Sequence, residues 1–346
     1  MLSLLQSLLQ IYSPSGQEAA AVSFLVGQMQ ALGFRAFADP AGNAVGVLGD
    51  GPQTIVLLGH IDTVPGEIRV RVENGELWGR GAVDAKGPLA TFVCAAARVK
   101  DQIPAGWRVV VIGAVGEETN SPGAQYAKDH YRPAFTVIGE PSSWEKVALG
   151  YKGSLWYAYR VQRSVAHTAG RAESACDAAI GFWNRTLAWA SEYNQASQRL
   201  FEQVSPTLRG MSSETDGFSE SAGLRFNLRI PPGMEISTCD GLLRSLLDDA
   251  TLTLLDSVPA YRSDKNTPLV RAFLSAIRAQ GGKPNFSVKN GTADMNIVGP
   301  VWNCPIVAYG PGDSSLDHTP EERIAIAEYE SAIDVLTQVL GELVKG

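Results

Sequence analysis

The chain carries four histidines, and three of them stand in settings that could do chemistry; His130, the other, closes a polar helical segment. His60 follows the apolar run Ile55–Leu58 and precedes Ile61-Asp62. A strand ending there would set the imidazole at the carboxyl edge of a sheet, where open α/β folds bind their ligands. Asp62, two residues on, would face the same side and could hold the second ring nitrogen of a ligating histidine. Downstream, Gly79-Arg80-Gly81-Ala82-Val83-Asp84-Ala85-Lys86-Gly87 is a glycine-rich bend around a carboxylate. It is not a phosphate loop, because the third glycine of GxGxxG is replaced by Asp84 and the Walker order Gly-Lys-Ser/Thr is absent. Asp84 could cap the helix that follows. The glycines around it would also let backbone approach an ion or a substrate closely.

Three further groups repeat this placement. Glu117-Glu118 follows the apolar run ending at Val115, Glu140 follows Val137-Ile138-Gly139, and Asp317-His318 precedes the last helical segment. Each alone could be a solvated loop carboxylate or a helix start. Together His60, Asp84, Glu118, Glu140 and His318 are the ligand inventory of a two-metal site. Nitrogen and oxygen donors without thiolate suit Zn²⁺, with Co²⁺ or Mn²⁺ also accommodated, and one carboxylate can bridge ions about 3.5–4 Å apart. Glu117 is then left beside the ions to take a proton from water.

Gly59-His60-Ile61-Asp62-Thr63-Val64-Pro65, the Gly79–Gly87 bend, Glu117-Glu118, Gly139-Glu140-Pro141 and Asp317-His318 resemble, in order and spacing, the M20 family of di-metal peptidases and deacylases. Acetylornithine deacetylase and succinyl-diaminopimelate desuccinylase belong to that family. The resemblance implies that His60 and Glu140 hold one metal, Glu118 and His318 the other, that Asp84 bridges, Asp62 orients His60 and Glu117 is the general base. It implies a di-zinc-peptidase-like α/β catalytic domain with an inserted α+β lid that also forms a homodimer. Within the insertion, His167 in Ser164-Val165-Ala166-His167-Thr168-Ala169-Gly170 resembles the family's oxyanion histidine. Asn227 and Arg229 resemble its carboxylate-gripping lid strand, and Gly291-Thr292-Ala293-Asp294 its loop near the substrate, which adds Thr292 and Asp294 as substrate contacts.

The segment Pro65–Trp78 is short, and with Gly81–Gly87 and Gly291–Met295 it resembles the branch that releases lysine or ornithine from a small acidic LysW-type amino-group carrier protein. That implies an amide hydrolase of lysine and arginine biosynthesis. Lys152, Arg69 and Arg71 would face the carrier. The alternatives are acetylornithine deacetylase or succinyl-diaminopimelate desuccinylase activity, or a non-catalytic metal-binding family member. A di-metal phosphohydrolase is disfavoured, since no Lys/Arg cluster accompanies the motifs.

The elements that must position these residues are legible as an alternation. Ser15 and Glu18 form a capping pattern opening a helix that closes at Gly33. Strands are expected at Phe34–Ala38, Ala44–Leu48, Thr54–Leu58, Arg108–Val115 and Phe135–Gly139, and helices over residues 87–99 and 123–130, a pattern for a sheet buried on both faces. A different texture follows: a half-exposed strand Gly153–Val161, a long helix Ala172–Tyr193, a strand Gly223–Ile230 and a helix Ser237–Asp249. Pro268–Ala279, Pro305–Tyr309 and Glu321–Val344 then resume the first layer. The expected division is 1–152 with 265–346 for the catalytic domain and 153–264 for the lid.

With 346 residues, 45% hydrophobic and 19% charged, the chain can bury two cores. The net charge of −7, without a basic tract, argues against nucleic acid. No apolar run approaches the roughly 20 residues that span a bilayer, so no membrane partner is expected. The apolar N-terminus lacks a basic leader region and reads as a docked first helix of a cytoplasmic protein. Cys94, Cys176, Cys239 and Cys304 show no CxxC spacing and read as reduced thiols.

Overall fold

A computed structural model describes residues 1–345. They form two compact units: Met1–Gly150 with Ser263–Val288 and the segment from Ala293 onward, and Tyr151–Arg262 with Lys289–Thr292. The split lies at 150/151 and 262/263, where the sequence suggests 152/153 and 264/265. Lys289–Thr292 belongs to the second unit, and the main-chain N–H of Lys152 donates to the carbonyl of Lys289 (3.1 Å).

The first unit is built on a mixed sheet whose strands lie in the order Arg35–Ala38, Ala44–Leu48, Trp107–Ala114, Gln53–His60, Phe135–Gly139, Ile306–Ala308 and Lys146–Tyr151. Its centre is parallel: Gln53–His60 pairs in parallel with Trp107–Ala114 and with Phe135–Gly139, which pairs in parallel with Ile306–Ala308. Thr54–His60 is buried at every position, as a strand covered on both faces must be. Helix Lys86–Val99 packs on these central strands and on the C-terminal helix Ile326–Leu343, and its residues from Lys86 to Ala96 are all buried.

Three expectations need correction here. The second helix begins at Ala19 rather than Ser15; Glu18 is its N-cap residue and its Oε1 accepts the N–H of Gly16 (2.9 Å), so the Ser15 hydroxyl caps nothing. The last helix begins at Ile326, because Arg323–Ala325 forms a strand beside Glu76–Trp78, with buried Ile324 opposite Leu77. Helix Lys86–Val99 has Ala85, not Asp84, as its N-cap.

The second unit is a four-stranded antiparallel sheet in the order Ser205–Thr215, Ser219–Ile230, Gly153–Ser164, Thr251–Val258, with helices Ala175–Asn194 and Ile236–Ser245. It has its own core, in which Tyr157 stacks on Phe226 and Tyr159 on Phe182, with centroids 5.4 and 4.5 Å apart. Among the described residues no helix is long and apolar enough to cross a membrane, and all four cysteines are free.

Candidate metal centre

Parallel pairing sets His60 opposite Ala114 and Gly59 opposite Gly139. The carboxyl ends of three strands therefore bring His60, the Gly116–Glu118 turn and Glu140 to one edge of the sheet. Glycine is required where these ends meet: a Cβ on Gly139 would stand 3.0 Å from the Cα of Gly59 and from the Phe92 ring. Asp84 arrives from the bend before helix Lys86–Val99, where Gly81 adopts φ +88°. His318 arrives from the loop after Ile306–Ala308 with φ +61°, the left-handed region that side chains rarely enter and that clusters at functional sites.

The expected ligands come together. Nε2 of His60 is 3.0 Å from Oδ1 of Asp84 and 4.0 Å from Oε1 of Glu140. Nε2 of His318 is 3.0 Å from Oδ2 of Asp84 and 3.0 Å from Oε1 of Glu118. The result is two trios, His60–Asp84–Glu140 and Asp84–Glu118–His318, each with donor atoms within 4.8 Å of one another. Asp84 belongs to both and turns one carboxylate oxygen to each.

The charges are far from balanced. Carboxylates of Asp84, Glu117, Glu118, Glu140 and Asp294 outnumber the imidazoles of His60 and His318. Burial, reinforced by the neighbouring Glu140, Asp294 and Glu118 charges, pushes Glu117 well above the ordinary carboxylate range; His60 opposes the shift. Glu140 is likewise raised well above that range by burial and by Asp84, with His60 again opposing. Burial works against ionisation of Asp84, yet hydrogen bonds from His318 and His60 hold it low. His318 is raised to about 10 by those to Asp84 and Glu118. Burial disfavours the His60 imidazolium, but Asp62, Asp84 and Glu117 outweigh it and leave the ring well above its usual value. Surplus negative charge in a buried site is what divalent cations relieve, and oxygen and imidazole donors without sulfur suit such ions. The residues fit the group.

Asp62 acts over a wider area than expected. Nδ1 of His60 lies closer to the main-chain oxygen of Asp62 (3.1 Å) than to its carboxylate (3.5 Å). The carboxylate accepts the N–H groups of Glu117 and Glu118, both at 3.1 Å, and the Ser15 hydroxyl at 2.7 Å. It thus braces the turn carrying both glutamates.

The remaining predicted residues divide between the units. His167 is exposed in the second unit; its Nδ1 accepts from the N–H of Ala169 (3.1 Å). Arg229 donates through Nη1 to the Thr292 hydroxyl (3.2 Å). Asn227 is buried and its amide donates to Ser154 Oγ (2.8 Å) and to the carbonyl of Leu155 (3.1 Å), so that amide is committed to the sheet. Asp294 lies in the first unit, 2% exposed. Neither of its oxygens meets a donor at hydrogen-bond geometry, although Ser121 is near enough to favour the charged form. Burial, partly offset by His60, raises it to about 7. It belongs with the charges of the centre. Lys152 does not face outward: its side chain is fully buried and Nζ donates to Ser205 Oγ (3.0 Å). Arg69 is exposed, whereas Arg71 pairs with Glu73 and lies over Trp78.

Sequence reasoning missed Ser15, Arg80 and Glu322. Ser15 looked like a helix cap. Arg80 stood inside a motif whose glycines and carboxylate drew the chemistry, and Glu322 followed an equivalent-looking Glu321.

This arrangement at the strand ends defines a metallohydrolase acting on amide bonds. The chain belongs to peptidase family M20/M25/M40, whose profile matches residues 56–342. It is 45% identical over 350 residues to the LysW-lysine hydrolase of Deinococcus radiodurans, spanning 99% of this chain and 97% of that one. A LysW-lysine/LysW-ornithine hydrolase of Saccharolobus islandicus is 29% identical, spanning 98% and 95%. The YXEP protein of Bacillus subtilis, a dinuclear metal binding peptidase from the M20 family, shares the fold: TM-score 0.77, covering 99% and 97% of the two chains at 11% identity.

Proposed function

We propose that the protein hydrolyses the amide joining the C-terminal glutamate side chain of a LysW-type carrier protein to the α-amine of lysine, and of ornithine where that is offered, in cytoplasmic lysine or arginine biosynthesis. The observation that carries the hydrolytic reading is the carboxylate of Asp84, 3.0 Å from a histidine on either side, with Glu117 in the same charge cluster. The substrate follows from the names of the relatives in Deinococcus radiodurans and Saccharolobus islandicus.

His60, Asp84 and Glu140 would hold one ion and Asp84, Glu118 and His318 a second, with Zn²⁺ the preferred metal. When bound, such ions polarise a scissile carbonyl and make a water molecule acidic at neutral pH. Glu117 accepts that water's proton on its carboxylate and hands it to the nitrogen of the departing α-amine. Its burial among other carboxylates suits it to hold the proton between the two steps. Asp62 keeps Glu117 and Glu118 in place through their N–H groups. His167, which resembles the family's oxyanion histidine, would donate to the oxyanion that develops on the former carbonyl. Arg229, steadied by Thr292 and based on the strand that Asn227 secures, would take the free α-carboxylate of the amino acid.

The second unit would serve as the lid and homodimer surface: helix Ala175–Asn194 leaves Ile180 and Leu187, two turns apart, 47% and 41% exposed. Gel filtration with light scattering tests this, and a strict monomer at micromolar concentration contradicts it.

The substrate reading is tested by comparing release of lysine and of ornithine from carrier conjugates with hydrolysis of N-acetylornithine and N-succinyl-diaminopimelate. Efficient turnover of a small substrate, with none on either conjugate, overturns it.

A further inference from the structure

Arg80 and Glu322 form an ion pair that the chemistry above does not use. Nη1 of Arg80 and Oε2 of Glu322 are 2.8 Å apart, with side chains 8% and 1% exposed. The other carboxylate oxygen of Glu322, Oε1, accepts the main-chain N–H groups of Val83 (2.9 Å) and Asp84 (3.0 Å). Arg80 also donates to the carbonyls of Gly66 (Nε, 2.9 Å) and Thr319 (Nη1, 3.1 Å). The pair therefore ties together the loop that follows His60–Asp62, the bend that carries Asp84, and the loop that carries His318.

A buried ion pair is weak evidence for stability, since apolar residues of similar volume often serve as well. What this pair supplies is position. The Asp84 main chain is gripped by its N–H while its two carboxylate oxygens stand 3.0 Å from His60 and 3.0 Å from His318. A small rotation of the bend would take one oxygen out of reach. The two sides are not equally secured: His60 ends a buried strand, whereas the His318 side chain is 50% exposed on a loop whose next carbonyl is held by Arg80.

We propose that Arg80 and Glu322 are positioning residues that set the Asp84 carboxylate across two metal positions, and that the position built by Glu118 and His318 depends on them most. This rests on the metal-centre reading, and the test separates the two. Full-length wild type, Glu322→Gln and Arg80→Lys are dialysed against a chelator and checked for native circular dichroism. Each is then titrated with Zn²⁺ in competition with a chromogenic chelator. Gln keeps the shape and an acceptor for the Asp84 N–H but loses the charge; Lys keeps the charge but cannot span the carbonyls of Gly66 and Thr319.

Wild type is expected to take two equivalents. Both variants are expected to bind the first nearly as tightly and the second about 10–100-fold more weakly, the usual range for a lost outer partner of a metal ligand. Should neither variant fold, Arg80→Met with Glu322→Met, which removes the pair without stranding a buried charge, is titrated instead. Two equivalents bound by a folded variant with wild-type affinities overturn the proposal, as does equal weakening of both. A wild type that takes up no Zn²⁺ overturns the metal reading, and this proposal with it.

Discussion

The hydroxyl of Ser15 donates to Oδ2 of Asp62 over 2.7 Å, across 47 residues of sequence. Ser13 reinforces the link, its hydroxyl donating to the carbonyl of Ile61 (2.9 Å). The N-terminal segment is thus a wall of the centre. Ser15→Ala should leave the fold intact and lower kcat/KM about 10-fold, the low end for an outer partner of a metal site. Steady-state kinetics beside a thermal melt check this; unchanged kcat/KM would show the bond to be incidental.

Glu117→Gln should keep both ions and lose turnover by about 10²–10⁴-fold, because an amide cannot take the water's proton. Metal content by emission spectroscopy and kinetics on the same sample decide it. Full metal with full activity removes Glu117 from the mechanism.

Stripping the ions should lower the melting temperature by several degrees, since ligands that bind only the folded state stabilise it. Calorimetry before and after Zn²⁺ is restored measures the shift. An unchanged melt would mean that the cluster is not a metal site.

Lys152 gives a pH signature outside the centre. Burial and the Arg229 charge bring it down to about 8, against about 10.4 in an unfolded chain. Between these values the unfolded chain holds more protons than the folded one, so this lysine makes stability rise with pH across the window from 8 to about 10.4. The slope it adds is at most about 1.4 kcal/mol per pH unit. Lys152→Met should remove that component, read as the difference between urea denaturation series of the two proteins. Parallel pH profiles would contradict the shift.

Legibility of the fold and site followed from physics at particular residues. Glu140 and the Glu117–Glu118 pair stand just beyond apolar runs, and a parallel strand buried on both faces must read that way, so both the strands and their edge could be seen. His60 was expected two residues past a strand ending at Leu58 and in fact closes Gln53–His60. Asp84 and His318 sit on loops, where no periodicity says what they meet; their residue types placed them in the ligand inventory, and only the family resemblance assigned Asp84 the bridging place and His318 its ion. Ser15 was misread because Ser-x-x-Glu looks the same whether the hydroxyl caps a helix or reaches a distant carboxylate. Strand Ser205–Thr215 was missed because none of its residues is buried, so it lacks the alternation that marks a half-buried strand. Lys152 was expected outside because lysines seldom lie fully buried.

The most direct test of the central claim is the anomalous diffraction of crystals of the protein loaded with Zn²⁺. Two peaks are expected about 3.5–4 Å apart, one bounded by His60, Asp84 and Glu140, the other by Asp84, Glu118 and His318, with Asp84 between them. A single peak that Asp84 does not touch, or ions bound elsewhere with this cluster empty, would contradict the account.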